Sequence, residues 1–286
     1  MTVATLPGVR RRPAALARLT ELARTPSLVL AWVIVVVAIG WAVFPSVFTS
    51  ASPFDGNADA GFAPPSAEHW FGTDRLGRDL FARSVYGAGT TLTATLFAVL
   101  TGFGAGSLIG LAAGFSGGWA DTVLMRVVDV FLAIPNLLLA MVLVSVLGYS
   151  TNNIALAVGI SSIASFARVM RAEVLAVAAR DYVRAAYGLG VRRGGVVLRH
   201  IVPNAVSPVL ALAALEIGSA ILAVAGLGFL GYGAPPPTPE WGLLVAEGRD
   251  YVAVHPWISL LPGAALAAVV LASHRINTSF RKDHGR

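Results

Sequence analysis

Two carboxylates, Asp129 and Glu216, fall within or at the edge of long apolar runs, and charge in hydrocarbon is costly enough to make such groups functional candidates. Glu216, midway along its run, either faces a polar path across the membrane or accepts a hydrogen bond from a neighbouring helix. Asp129 is expected near the start of its helix, where the positive end of the dipole favours an acid. The other concentration of charge is cationic: Arg171, Arg180, Arg184, Arg192, Arg193 and Arg199 stand among alanines, with Asp181 between them. Several chemistries are excluded. The chain has no cysteine, and His69, His200, His255 and His274 lack metal-ligand spacing. No serine, histidine and acid share the local context of a nucleophilic site. Lys282, the only lysine, precedes Asp283, so there is no GxxxxGK[ST] phosphate loop and no resident cofactor is expected.

Of the 286 residues, 56% are hydrophobic and 13% charged, against roughly 45–50% and 25% in soluble domains. Such a chain cannot cover a soluble globule with polar surface; a bilayer accommodates its apolar runs, about 20 residues to each spanning helix. The runs are Leu28 to Phe48, Thr91 to Phe115, Val127 to Leu147, Ile154 to Ala167, Ile201 to Leu230 and Trp257 to Ser273. We therefore expect an all-α polytopic membrane protein with six transmembrane helices. The fourth is short and continues a few residues past Arg168, whose stem snorkels to the interface. The first exceeds a signal-peptide core and reads as an uncleaved anchor. Before it, Leu16, Leu19, Leu22 and Ala23 beside Arg18 and Arg24 suit either a helix on the membrane surface or a plain tail.

The charges orient these spans. With the N-terminus in the cytoplasm, 17 of the 21 basic residues lie inside, leaving Arg75, Arg78, Arg83 and Arg249 outside among eight acids. Both termini are then cytoplasmic. The net charge of +6 reflects this asymmetry rather than nucleic-acid binding. Gly106, Gly110 and Gly114 line one helical face as a packing seam, while Pro135 and Pro208 are expected to kink their helices. In the first outer loop, Leu76, Leu80, Phe81 and Val85 suggest a helix capped by Thr73 or Asp74 and stopped by Gly87. Arg75, Arg78, Asp74 and Asp79 pair with a partner or with one another. In the last outer loop, Thr238, Pro239 and Glu240 suit a cap, first turn and dipole-favoured acid of a short helix that presents Glu240, Glu247 and Asp250 outward.

Between the fourth and fifth spans, residues 171–200 read as short helices joined by a sharp turn. The next span starts at Pro203, a residue suited to a first helical turn. The run Arg184-Ala185-Ala186-Tyr187-Gly188-Leu189-Gly190, nine further residues, then His200-Ile201-Val202-Pro203 resembles the EAA motif of type I ABC importer permeases. Ala185, Ala186, Gly190 and Pro203 match at the family spacing. Arg184, His200 and Val202 stand where the pattern has glutamate, isoleucine and leucine, and the Arg-Ala-Ala form is similar to the peptide-transporter branch. Two further segments resemble that dipeptide and oligopeptide branch, of the DppC and OppC type. One is His69-Trp70-Phe71-Gly72-Thr73-Asp74-Arg75-Leu76-Gly77-Arg78-Asp79; the other is Gly228-Phe229-Leu230-Gly231-Tyr232-Gly233 followed by Pro235 to Gly242.

The resemblance implies the type I ABC importer permease fold in a bacterial cytoplasmic (inner) membrane. It implies a cytoplasmic tail over 1–27, a first span and outer loop over 28–90, a core permease unit over 91–276 and a tail over 277–286. The 171–200 loop would dock on an ATPase through Arg180, Asp181, Arg184, Ala185, Ala186, Gly190, Arg192, Arg193 and Pro203, with Glu216 as the candidate in the path. Implied partners are a sister permease (DppB/OppB-like), two ATP-binding subunits that bind the ATP, an external solute-binding protein, the lipid bilayer and a peptide substrate, with no nucleic acid. The alternatives are the same machinery importing nickel or another peptide-like chelate, an ion-coupled secondary carrier using Glu216, and a structural assembly subunit.

Overall fold

The computed structural model describes residues 26–284, so the expected helix at Leu16 to Ala23 lies outside the described residues. Helix α1 (Pro26–Val43) leads through a single turn, Pro45–Phe48, into a long outer loop. Helix α2 (Leu80–Ser116) follows, then α3 (Gly118–Leu132), α4 (Asn136–Leu147) and α5 (Thr151–Ala178). The basic segment contains α6 (Asp181–Gly188) and two short turns, Arg193–Val196 and Val197–Ile201. Helix α7 (Val202–Phe229), the short α8 (Trp241–Gly248) and α9 (Trp257–His284) complete the order. Among the described residues, five helical stretches are individually long and apolar enough to span, and α3 with α4 makes a sixth that is bent by 92°.

The bend replaces the continuous third span expected from Val127 to Leu147. Pro135 has no N–H to donate and disfavours helical backbone in the residue before it, so α3 ends at Leu132 and α4 restarts at Asn136. Pro208 does not break its helix, since α7 runs through it as one element. Helix α2 also differs from expectation. It begins eleven residues before Thr91, because Asp79 rather than Thr73 or Asp74 caps it, accepting the Ala82 N–H at 2.7 Å. Gly87 does not stop it; there the backbone of α2 passes close to Trp241 and Glu240. Leu76, expected on this helix, lies exposed in the preceding loop.

Helix α5 occupies the centre of the fold. Its most apolar stretch is 61% buried inside the protein, against 11% for α1. That explains why its apolar run is the shortest in the sequence: other helices, not lipid, cover most of it, so Ser161 and Ser162 are tolerated. The glycine seam of α2 meets it directly. A Cβ at Gly106 would lie 2.5 Å from that of Phe166, one at Gly114 would lie 2.8 Å from Val174, and one at Gly110 would collide with the Ala167 carbonyl. These are backbone approaches that only glycine permits.

Candidate functional site

The basic loop is positioned by the cytoplasmic ends of α5 and α7. Within α6, Val183 and Ala186 are buried and pack with Val174, Val177, Val196, Val197 and Ile201. Their three-residue spacing turns the other side outward, so Asp181, Arg184 and Ala185 are exposed. The helix ends at a left-handed Gly190, φ +79°. There the Val191 N–H reaches the Ala186 carbonyl at 3.2 Å and the Gly190 N–H reaches that of Tyr187 at 3.0 Å, a Schellman closure. Glycine is required here for its backbone conformation, since a Cβ would meet open space. Pro203 occupies the first turn of α7, as the sequence predicts.

Arg180, Arg184, Arg192, Arg193 and Arg199 have no ion-pair partner among the described residues, whereas Arg168 and Arg171 of α5 do. Tyr187 and Arg193 also border a groove of about 440 Å³ against Phe115 and Ser116 at the end of α2. Exposed Leu189, Tyr182 and Tyr187 add apolar area to this cationic surface. Such a surface suits a partner with an apolar cleft and an acidic rim.

Glu216 lies on α7, half-buried against α5. The Ser162 hydroxyl is 3.1 Å from its Oε1 and 3.1 Å from the Val158 carbonyl, and one proton serves only one of them. Both sequence alternatives for Glu216 therefore keep a structural basis: it touches a neighbouring helix, and it is not enclosed. Asp129 requires a correction. It lies in the last turn of α3, not the first, so the helix dipole does not favour it; instead it accepts from Arg168 at 2.6 Å. Arg168 commits one guanidinium nitrogen to that pair. Asp121, which the sequence did not single out, binds Arg171 through both carboxylate oxygens at 2.5 and 2.6 Å.

The outer end holds an ion cluster in which the sequence anticipated the pairing of Asp74 with Arg78 but missed Arg83 and Glu247. Arg83, fully buried in the first turn of α2, meets Asp74 of the outer loop and Glu247 of α8. Arg78 joins the same two acids, at 2.6 Å to Asp74 and 3.7 Å to Glu247. Two cations and two anions balance. His69 Nδ1 lies 2.8 Å from Asp79, the cap of α2. The available signal was an arginine four residues into an otherwise apolar helix, which demanded anions from elsewhere.

Glu240 corrects the outward-facing acid. It is itself the cap of α8, accepting the Gly242 and Leu243 N–H groups at 2.9 Å each, and Thr91 donates to it at 3.1 Å. It is 3% exposed, and burial pushes its carboxyl above the usual range despite those three donors, each of which favours the charged form. Glu247 is likewise turned into the ion cluster, leaving Asp250 as the exposed acid of the three.

Residues 106–283 match the family model described as the binding-protein-dependent transport system inner membrane component. The chain is 40% identical over 240 residues to the dipeptide transport system permease protein DppC of Alkalihalophilus pseudofirmus, covering 84% of this chain and 79% of that one. It is 41% identical over 242 residues to the probable D,D-dipeptide transport system permease protein DdpC of Escherichia coli K12, covering 85% and 81%. The glutathione transport system permease protein GsiD of Pectobacterium atrosepticum is 37% identical over 251 residues, covering 87% and 83%. In fold, the chain is similar to a crystal structure of an amino acid ABC transporter with histidines, at TM-score 0.56 and 18% identity, covering 71% of this chain and 94% of that one.

Proposed function

Because the chain belongs to the family of binding-protein-dependent transport system inner membrane components, a multi-pass permease of the inner membrane, we propose that its cargo is a dipeptide or short oligopeptide. A system of this kind implies an ATPase and an external binding protein. In our reading there are two ATP-binding subunits, and a sister permease supplies the other half of the pathway. The observation that carries this reading is the α6 loop: a helix closed at Gly190, with exposed Arg180, Arg184, Arg192 and Arg193 that have no ion-pair partner among the described residues. Arg180, Asp181, Arg184, Ala185, Ala186, Gly190, Arg192, Arg193 and Pro203 make or hold that docking face. Differential binding of the ATPase to it in two states would bias inward- and outward-facing arrangements. Glu216 is the group of α7 placed to touch cargo in the path.

A second cargo in the same chemical class, glutathione, is favoured by the relative of that name. Reconstitution in liposomes with the sister permease, ATPases and binding protein tests both. We expect uptake of labelled dipeptide only with ATP at the ATPase face, with competition by glutathione measuring its share. Uptake by this chain alone, driven by an ion gradient, overturns the importer reading. Unchanged uptake by a normally assembled Glu216→Gln variant removes Glu216 from the path.

A further inference from the structure

The two ion pairs joining α3 to α5 differ in how completely they are closed. Asp121 and Arg171 form a two-pronged contact that engages both carboxylate oxygens, with side chains 16% and 33% exposed. It acts as a strap between helices. Asp129 and Arg168 share one contact, through Oδ1 and one guanidinium nitrogen, and their side chains are 52% and 59% exposed. Asp129 Oδ2 and the remaining donors of Arg168 find no protein partner among the described residues.

Hydrocarbon, another subunit, lipid headgroups and water are the surroundings available to this open pair; physical chemistry disfavours the first two, and thiol labelling separates the others. Arg168 is the eighteenth residue of α5, about 25 Å along the helix from Thr151, so with Thr151 at the outer edge of a hydrocarbon core roughly 30 Å thick it lies in the cytoplasmic half. Hydrocarbon is an expensive neighbour for a half-exposed ion pair at that depth. A contact with another subunit would have to bring both a donor for Asp129 Oδ2 and an acceptor for the spare Arg168 N–H groups to one spot. Water, or a charged solute passing through it, satisfies all of them.

We propose that Asp129 and Arg168 form a polar station on the cytoplasmic half of the translocation pathway, fitted to a solute that carries both an ammonium and a carboxylate group. The station rests on the importer reading above. Its anion and cation stand side by side, so each can exchange its partner for the opposite end of a zwitterionic peptide without leaving a charge bare.

The chain has no native cysteine, so single Asp129→Cys and Arg168→Cys variants in the assembled transporter each carry one thiol on this chain. Small methanethiosulfonate reagents bearing either an ammonium or a sulfonate group then report water and charge at each site. Both positions should react without nucleotide and become about tenfold slower when ATP is trapped on the ATPases, as the pathway turns outward. Asp129→Cys leaves Arg168 unpaired and should prefer the anionic reagent, whereas Arg168→Cys leaves Asp129 unpaired and should prefer the cationic one, each by about fivefold. Reaction at equal rates in both nucleotide states would place the pair among lipid headgroups and overturn the proposal. Absence of reaction in both states, or no charge preference, overturns it too. ATP-driven uptake by the parent complex is measured alongside, so failure of the importer reading is seen separately.

Discussion

At the outer end, Arg83 is enclosed with Asp74, Arg78 and Glu247; at the cytoplasmic end, Arg180, Arg184, Arg192 and Arg193 stand exposed with no anion of their own among the described residues. The same residue type thus has two thermodynamic positions. A buried guanidinium must be matched within the chain, because a lone charge in a low-dielectric interior costs several kcal/mol. An exposed one costs the fold almost nothing and remains free to be matched by another subunit. The outer cluster ties the first outer loop, α2 and α8 into one body, while the cytoplasmic loop leaves its charge unpaired among the described residues, open to the proposed interface. Stability and transport should therefore respond oppositely to changes in the two regions.

The largest effect is expected from Arg83→Met, which leaves Asp74 and Glu247 with one cation between them. We expect a loss of about 3–5 kcal/mol, read as a lowered thermal midpoint of the purified complex. Arg249, paired with Asp250 across the water-exposed surface, supplies the contrast: Arg249→Met should change stability by less than about 1 kcal/mol. Equal effects from the two variants would mean that the enclosed cluster is not what binds the outer end together.

A pH effect sharpens the same end of the molecule. Burial raises the Glu240 carboxyl in the native state above its unfolded value, so the fold binds its proton more tightly than the unfolded chain does. The stability it contributes is full below the unfolded carboxylate range and is lost as pH climbs through the raised native value. Glu240→Gln should remove that decline from a series of thermal midpoints between acidic and neutral pH. A slope identical to the parent's would assign the pH dependence to another group.

The cytoplasmic end should be touched more lightly by Gly190→Ala. At φ +79° an alanine is strained by about 1–2 kcal/mol, with nothing near its Cβ to collide with. The strain is local to the end of α6, so the midpoint of the complex should fall only slightly while ATP hydrolysis proceeds with reduced uptake. Uptake equal to the parent's at matched expression would show that the closing turn of α6 does not position the docking face.

The two regions also differ in how much of them could be read in advance. The cytoplasmic loop is written locally: the three-residue spacing of Val183 and Ala186, Gly190 at a helix end and Pro203 at a helix start are short-range relations. The six apolar runs were legible for a related reason, since a bilayer imposes length and composition on each span separately. The outer cluster is written over long range. Arg83 and Glu247 are 164 residues apart, and nothing near either names the other. Glu240 was read as an outward acid because carboxylates are rarely fully buried; its three donors, one of them Thr91 from α2, appear only after folding. Pro135 announced a break but not an angle, because the 92° turn depends on what α3 and α4 pack against on either side. Asp129 was misplaced for the same reason, as the break turned the supposed start of a helix into its end.

The smallest expected effect on stability comes from reversing charge at the proposed docking face. Arg184→Glu restores the residue type of the family's motif but places it beside Arg180 and Asp181 on an exposed surface. With no ion pair to lose among the described residues, the midpoint should move by no more than about 0.5 kcal/mol equivalent. Transport should suffer far more, because an acidic rim that attracts arginine repels glutamate at short range. Uptake is expected to fall by about tenfold or more and to recover in part with a lysine introduced at the facing acid of the ATPase. If Arg184→Glu instead lowers stability as Arg83→Met does, the cytoplasmic arginines are part of the fold's own charge balance and the contrast between the two ends collapses. If both stability and uptake are unchanged, Arg184 stands outside the interface, and the cation carrying the docking has to be sought at Arg180, Arg192 or Arg193.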